Sequence, residues 1–138
     1  MIRLSVLLFA VAAPAAAQVA TISFEAGKRL PLTAGQWSYA ASASGSEARY
    51  DAIFSIRCDR ATRTVIISRP GAPPTVLSIA TDSVTRNLPV GGRLLANDPL
   101  LDAIAFSRGR FLVWGGAAPT LALPSWPEAA RSIEDCRN

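Results

Sequence analysis

The sequence contains no histidine, and this absence excludes several kinds of active site. The catalytic triads of serine and cysteine hydrolases use histidine as the general base, so neither can be built from this chain. Histidine is also the commonest protein ligand of transition metals. No glycine-rich loop of the phosphate-binding or dinucleotide-binding type follows a predicted strand. We therefore predict no catalytic residue, no metal site and no cofactor.

Lysine is almost absent as well, since Lys28 is the only one, and the positive charge comes from arginines spread along the chain. The formal net charge is +4, but no basic stripe with interleaved aromatic residues accompanies it. Such a stripe is the usual mark of nucleic-acid binding, so we predict no nucleic-acid partner. One compact basic turn contains Arg108 and Arg110. It could bind an anionic group of a lipid, glycan or phosphate, or it could simply complete the end of a helix.

Long hydrophobic segments are also missing, because no apolar run reaches the roughly 20 residues that a membrane-spanning helix needs. The first residues instead follow the pattern of a secretory signal peptide. Arg3 provides the positive charge, residues 4–13 are apolar, and residues 15–17 are small alanines that suit signal peptidase. We predict a signal peptide over residues 1–17, a mature chain starting at Gln18, and a periplasmic or secreted location.

Cysteine is scarce, and the two that occur, Cys58 and Cys136, are predicted to form a disulfide. Residues 50–58 alternate as expected of a strand with one buried face, and the pattern places Cys58 on that face. A C-terminal helix is predicted to start at a capping box formed by Ser125 and Glu128. The apolar stripe of this helix holds Trp126, Ala129, Ala130, Ile133 and Cys136. Its polar face, predicted to meet solvent, holds Glu128, Arg131, Ser132 and Asp135.

The whole pattern predicts a mostly β (α+β) fold, in which an antiparallel β meander or sandwich carries a short helix and a disulfide-stapled C-terminal helix. After an irregular segment over residues 18–35, a single β-rich domain covers residues 36–138. Asp98 followed by Pro99 predicts the start of the short helix. Further strands are predicted over residues 37–43, 64–69, 76–81, 84–88, 111–114 and 120–123. The predicted strands over residues 64–69 and 111–114 are apolar on both faces. We therefore expect the two helices to cover the second face of these strands.

Two parts of the chain carry a resemblance to known proteins. The segments Asp98–Phe111 (DPLLDAIAFSRGRF) and Leu123–Arg137 (LPSWPEAARSIEDCR) resemble a group of uncharacterised small exported proteins of Gram-negative bacteria. More loosely, a strand that ends in Ile56-Arg57-Cys58 and a last helix that ends in cysteine are similar to periplasmic β-rich proteins associated with invasion or secretion systems. These resemblances imply no activity, cofactor or catalytic residue.

The leading functional hypothesis is a non-enzymatic binding module whose partner is an envelope protein or an anionic envelope component. Trp114 lies beside a predicted hairpin tip at residues 115–119, where it could anchor an interface or pack in the core. Arg108 and Arg110 are the other candidate interaction residues.

Two alternatives remain open. A small hydrolase or glycan-active enzyme could use a pair of carboxylates, and Asp98 and Asp102 are spaced to lie near each other at a helix start. The same two residues could instead cap and stabilise that helix start. A structural or inhibitory protein is the third hypothesis, with the tip at residues 115–119 inserted into a target.

Overall fold

The computed structural model describes residues 22–70, 76–116 and 118–138. The predicted signal peptide and the start at Gln18 lie outside these ranges, as does most of the proline-rich loop after Pro70. The helices are α1 (Phe24–Gly27), α2 (Pro99–Phe106) and α3 (Pro127–Asp135). The strands are β1 (Trp37–Ser42), β2 (Gly45–Tyr50), β3 (Phe54–Asp59), β4 (Thr64–Ser68), β5 (Ser78–Ala80), β6 (Thr85–Asn87), β7 (Arg93–Leu95), β8 (Arg110–Gly115) and β9 (Ala118–Pro124).

The strands form two antiparallel sheets that share one core. Sheet A has the order β1-β2-β3-β4-β7, and sheet B has the order β6-β5-β8-β9. Aromatic rings join their inner faces, because Phe111 of sheet B lies 6.4 Å from Trp37 and 5.8 Å from Phe54, measured between ring centroids. The predicted mostly β fold with antiparallel pairing is confirmed.

The strand predicted over residues 50–58 starts too early, because Tyr50 is the last residue of β2 and residues 51–53 form the turn before β3. β2 ends at Tyr50, Asp51 takes the left-handed conformation with φ of 44°, and β3 starts at Phe54. Tyr50 and Phe54 are register partners, so both side chains point into the core. The period-two pattern therefore passes through the hairpin without a break, and periodicity alone cannot detect the turn. β2 itself was not among the predicted strands.

The two longer helices begin differently from each other. Asp98 caps α2 as predicted, its carboxylate accepting a hydrogen bond from the Leu100 N–H. The capping box predicted for α3 is wrong, because Trp126 occupies the N-cap position without a side-chain bond and Pro127 follows it. Ser125 lies one residue too early, and its N–H donates instead to the Gly109 carbonyl over 3.2 Å.

The predicted disulfide joins Cys58 of β3 to Cys136 at the end of α3, with 5.4 Å between the Cα atoms. It fastens α3 across the inner face of β1, β2 and β3. Ser132, predicted to face solvent, is fully buried there instead. Its hydroxyl lies 3.2 Å from the Ser46 hydroxyl and donates to the Ile56 carbonyl. A helix lying flat on a sheet buries a face wider than its apolar stripe, so the small polar residue is included.

The outer face of sheet B is covered by the chain that leads into the domain. Phe24 packs there with Leu112 and Trp114, and Ala80 and Ala122 complete this second cluster. The expectation that α2 or α3 would cover the second face of β8 is therefore wrong, because the one-turn helix α1 does so. The outer face of sheet A is more polar, since β3 and β4 carry there Ser55, Arg57, Asp59, Thr64, Ile66 and Ser68.

Removing the disulfide should destabilise the domain strongly. The double variant Cys58→Ala/Cys136→Ala is expected to lose about 4 kcal/mol of unfolding free energy, because the bond closes a loop with a sequence separation of 78. Urea denaturation of the variant and of the reduced wild type measures the loss. Unchanged stability in both samples would contradict a structural role for the bond.

A methyl group added at Gly27 should loosen the cover of sheet B. The Cβ of alanine at this position would lie 2.0 Å from Cδ1 of Leu112, so one of the two must move. We expect Gly27→Ala to cost about 1–3 kcal/mol, as other overpacking changes do. The exposed neighbour provides the control, Ala26→Ser, which should be nearly neutral in the same denaturation assay. Equal stability of the two variants would show that α1 does not pack as described.

Candidate functional site

Trp114 does not form an exposed interface anchor. It is 6% exposed and belongs to the second cluster, under α1. The adjoining turn contains Gly116 with φ of 61°, while Ala117 lies outside the described residues. The burial of Trp114 agrees with the alternative in which it packs in the core rather than anchoring an interface.

Arg108 and Arg110 have separate surroundings and do not form one anion-binding turn. Nη1 of Arg110 donates to the carbonyl of Leu30 at 2.5 Å and to that of Gly27 at 3.3 Å, so this side chain anchors the loop after α1. The side chain of Arg108 is 93% exposed, and its Nε lies 3.7 Å from a carboxylate oxygen of Asp82. Of the two, Arg108 is therefore the more accessible to a partner.

Asp98 and Asp102 do not form a catalytic pair. Burial alone would raise the pKa of Asp98, but hydrogen bonds from Arg86 and from the Leu100 N–H, with the charge of Arg86, leave it lower than usual. Asp102 is about half exposed and forms an ion pair with Arg137 at 2.8 Å. A glycosidase acid needs a raised pKa instead, so the helix-capping interpretation of these residues fits better.

The edges of the two sheets differ in how well they are protected against another strand. β6 and β7 are only three residues long, and they carry Arg86 and Arg93. β9 contains two prolines, and its Ala122 exchanges hydrogen bonds with the backbone and hydroxyl of Thr33. Short length, charge, proline and a covering loop are the usual devices that keep an edge from pairing with a second chain.

β1 has none of these devices. Its six residues, WSYAAS, include no charge and no proline, and the strand pairs in register with β2 along its whole length. No described residue pairs with its other side. The last four residues of β1 are exposed or half-buried small or aromatic side chains, so the backbone is accessible. We call this unpaired side of the strand the β1 edge.

A shallow depression adjoins the β1 edge, with a volume of about 160 Å³. Its lining combines small residues with one acid and one base, namely Ala40, Ala41, Ser42, Gly45, Ser46, Glu47, Arg57 and Cys58. On the outer face of sheet A, Ala40, Glu47 and Arg57 are neighbours across three strands. A long side chain lying beside Ala40 could therefore extend over this alanine toward the two charged groups.

β1 is held firmly from the inner side by α3. The Tyr39 hydroxyl donates a hydrogen bond to the Asp135 carboxylate, and the Arg131 guanidinium lies 4.1 Å from the centre of the Tyr39 ring. The bond from Tyr39 is the main cause that lowers the pKa of Asp135, partly opposed by burial. At the start of the strand, Trp37 Nε1 donates to the Pro124 carbonyl at 2.8 Å. The β1 edge is thus a preorganised strand.

Sequence reasoning placed a strand over residues 37–43 but could not recognise it as an edge. The lack of charge in this segment was the available signal. In the described ranges, no group of three potential metal ligands occurs, and no helix has the length and apolar character needed to cross a membrane.

The bond between Tyr39 and Asp135 should make stability depend on acidity. The pKa of Asp135 is lower in the folded state than its ordinary value of 3.8, so the ionised carboxylate stabilises the fold above that value. This stabilisation is lost as the pH falls through the lowered pKa. We expect Tyr39→Phe to cost about 1 kcal/mol at neutral pH and progressively less in acid. Denaturation over a pH series measures this, with Tyr39→Phe in an Asp135→Asn background as control. A cost that stays constant with pH would contradict it.

No protein-family model, no curated protein and no solved structure matches this chain. A fold by itself does not determine a function, so the function is inferred from the edges and side chains described above.

Proposed function

We propose that the protein is an exported, non-enzymatic binding module of the cell envelope, periplasmic or secreted, which binds an extended segment of an envelope protein at the β1 edge. The observation that carries this proposal is the contrast between β1 and the other described edges. Those edges are short, charged, proline-containing or covered, whereas β1 is six residues long and uncharged.

Export is supported by two independent features. Residues 1–17 have the charge, apolar stretch and small residues of a signal peptide. The disulfide between Cys58 and Cys136 is buried in the core, and such structural bonds persist in oxidising compartments rather than in the cytosol. Both features favour a partner in the envelope or outside the cell.

Strand addition suits the chemistry of the β1 edge. An added strand gains affinity from main-chain hydrogen bonds, while alternate side chains give specificity. Ser42 and Gly45 close a two-residue hairpin turn, so alternate residues of β1 bond to β2 and the intervening ones direct their backbone groups outward. By this alternation Ala40 faces β2, and Ala41 offers its N–H and C=O to a partner.

Binding also requires little ordering of β1. The contacts of Trp37 and Tyr39 hold the first half of the strand before any partner arrives. A preorganised edge avoids part of the entropy cost of association. The small side chains of Ala40 and Ser42 leave room for larger ones on the added strand.

The proposal predicts that two substitutions on β1 abolish binding. Ala41→Pro removes an outward N–H, and Ala40→Lys adds the type of charge that protects natural edges. The matched control is Thr85→Lys, which adds the same charge to the exposed edge strand β6. Circular dichroism and denaturation confirm that all three variants are folded.

Photo-crosslinking measures the outcome. Oxidised protein with a photo-reactive residue at the exposed position Ser38 is incubated with an envelope extract of the host, and the crosslinked segment is identified by mass spectrometry. A synthetic peptide of that segment should then shift the amide resonances of β1. We expect wild type and Thr85→Lys to give the same product and both β1 variants to lose it. Unchanged products from the β1 variants, or crosslinks only to another copy of this chain, would refute the proposal.

A further inference from the structure

The exposed aromatic side chains are concentrated in one part of the molecule. Phe106 is 76% exposed and Trp126 is 46% exposed, whereas the other described aromatic residues are buried or half-buried. The remaining large apolar side chains at the surface are aliphatic, namely Leu32, Val76, Val84, Val90 and Leu95. Isolated aliphatic residues are normal on a protein surface, but two exposed aromatic rings need an explanation.

The backbone brings these two rings to the same corner. Phe106 is the last residue of α2, and Trp126 is the cap residue before α3. Between them, the Ser125 N–H donates to the Gly109 carbonyl over 3.2 Å, which joins the loop after α2 to the loop before α3. We call Phe106, Arg108 and Trp126 the aromatic corner.

The exposed charged group nearest to the two rings in the chain is a guanidinium, although the carboxylates of Asp82 and Glu128 lie near the same loops. Arg108 lies in the loop after α2, two residues beyond Phe106, and its side chain is 93% exposed although its Nε lies 3.7 Å from the Asp82 carboxylate. Arg110 ties the loop after α1 to the same place through the Leu30 carbonyl, and the neighbouring Arg29 is exposed. A partner at this corner would therefore meet apolar rings beside guanidinium groups.

We propose that the aromatic corner binds the surface of an anionic lipid bilayer. Tryptophan favours the headgroup region because its ring is amphipathic, phenylalanine buries its apolar ring at the acyl-chain boundary, and arginine binds lipid phosphate. The contact is peripheral, weak and salt-dependent, since two rings and few charges bury little area. This inference is independent of the β1 edge, and it would hold the β1 edge close to membrane-associated partners.

Trp126 itself is the probe that tests this inference. Of the three tryptophans in the sequence, Trp37 and Trp114 are 7% and 6% exposed, so their emission already corresponds to an apolar environment. A blue shift on adding vesicles therefore reports Trp126. We expect phosphatidylglycerol vesicles to give this shift and to sediment the protein at low ionic strength. Phosphatidylcholine vesicles should do neither, and added salt should reverse both effects.

Variants separate the corner from the rest of the surface. Phe106→Ser and Arg108→Gln should each weaken sedimentation severalfold, whereas Trp126→Phe should abolish the spectral shift but keep most of the sedimentation. The matched controls are Val90→Ser, which removes an exposed aliphatic residue, and Arg57→Gln, which removes an exposed charge in sheet A. Both should bind vesicles as wild type does, and so should Ala41→Pro.

Three results would overturn the inference. These are no shift or sedimentation with phosphatidylglycerol, equal binding to phosphatidylcholine, and corner variants that bind as well as the controls. If the crosslinked protein partner of the β1 edge were lost on Phe106→Ser while vesicle binding was absent, the corner would belong to a protein interface instead. Failure of the β1 experiment alone would leave the vesicle result intact, so the two proposals can fail separately.

Discussion

The attachment of α3 to the inner face of sheet A is the interaction on which the rest of the structure depends. The Cys58–Cys136 bond fastens the end of the helix to the middle strand of that sheet, and the buried hydroxyl of Ser132 bonds to Ser46 and to the backbone of β3. Near the end of the same helix, the Asp135 carboxylate accepts a hydrogen bond from the Tyr39 hydroxyl of β1. Because the helix holds β1 from its face, the strand stays ordered while its edge is unpaired.

The side chains of the described surface are consistent with the proposed binding role. Asp98 and Asp102 are engaged in a helix cap and in ion pairs, and histidine is absent from the sequence. What it offers to a partner is backbone at the β1 edge and a pair of aromatic rings beside Arg108. The β1 edge is supported by α3 through Tyr39, and this preorganisation reduces the entropy cost of the proposed strand addition.

The three tryptophans show how far sequence reasoning reached. Trp37 is a core residue at the start of a strand whose existence was predicted. Trp126, counted in the apolar stripe of α3, is exposed because Pro127 begins the helix and leaves the preceding ring at the cap position. Trp114 is buried because α1 covers it, although the loosely patterned segment that contains α1 gave no sign of packing there.

The sequence alone determined the fold class, the inward orientation of both cysteines, the start of α2 at Asp98 and the lack of a histidine-based site. These follow from local periodicity, cap chemistry and composition, each of which acts over a few residues. Only the tertiary structure decided which strand is an edge, which sheet face is covered and which tryptophan reaches solvent. Those properties depend on contacts between residues far apart in the chain, such as Trp37 with Pro124 and Phe24 with Leu112, and no local pattern encodes them.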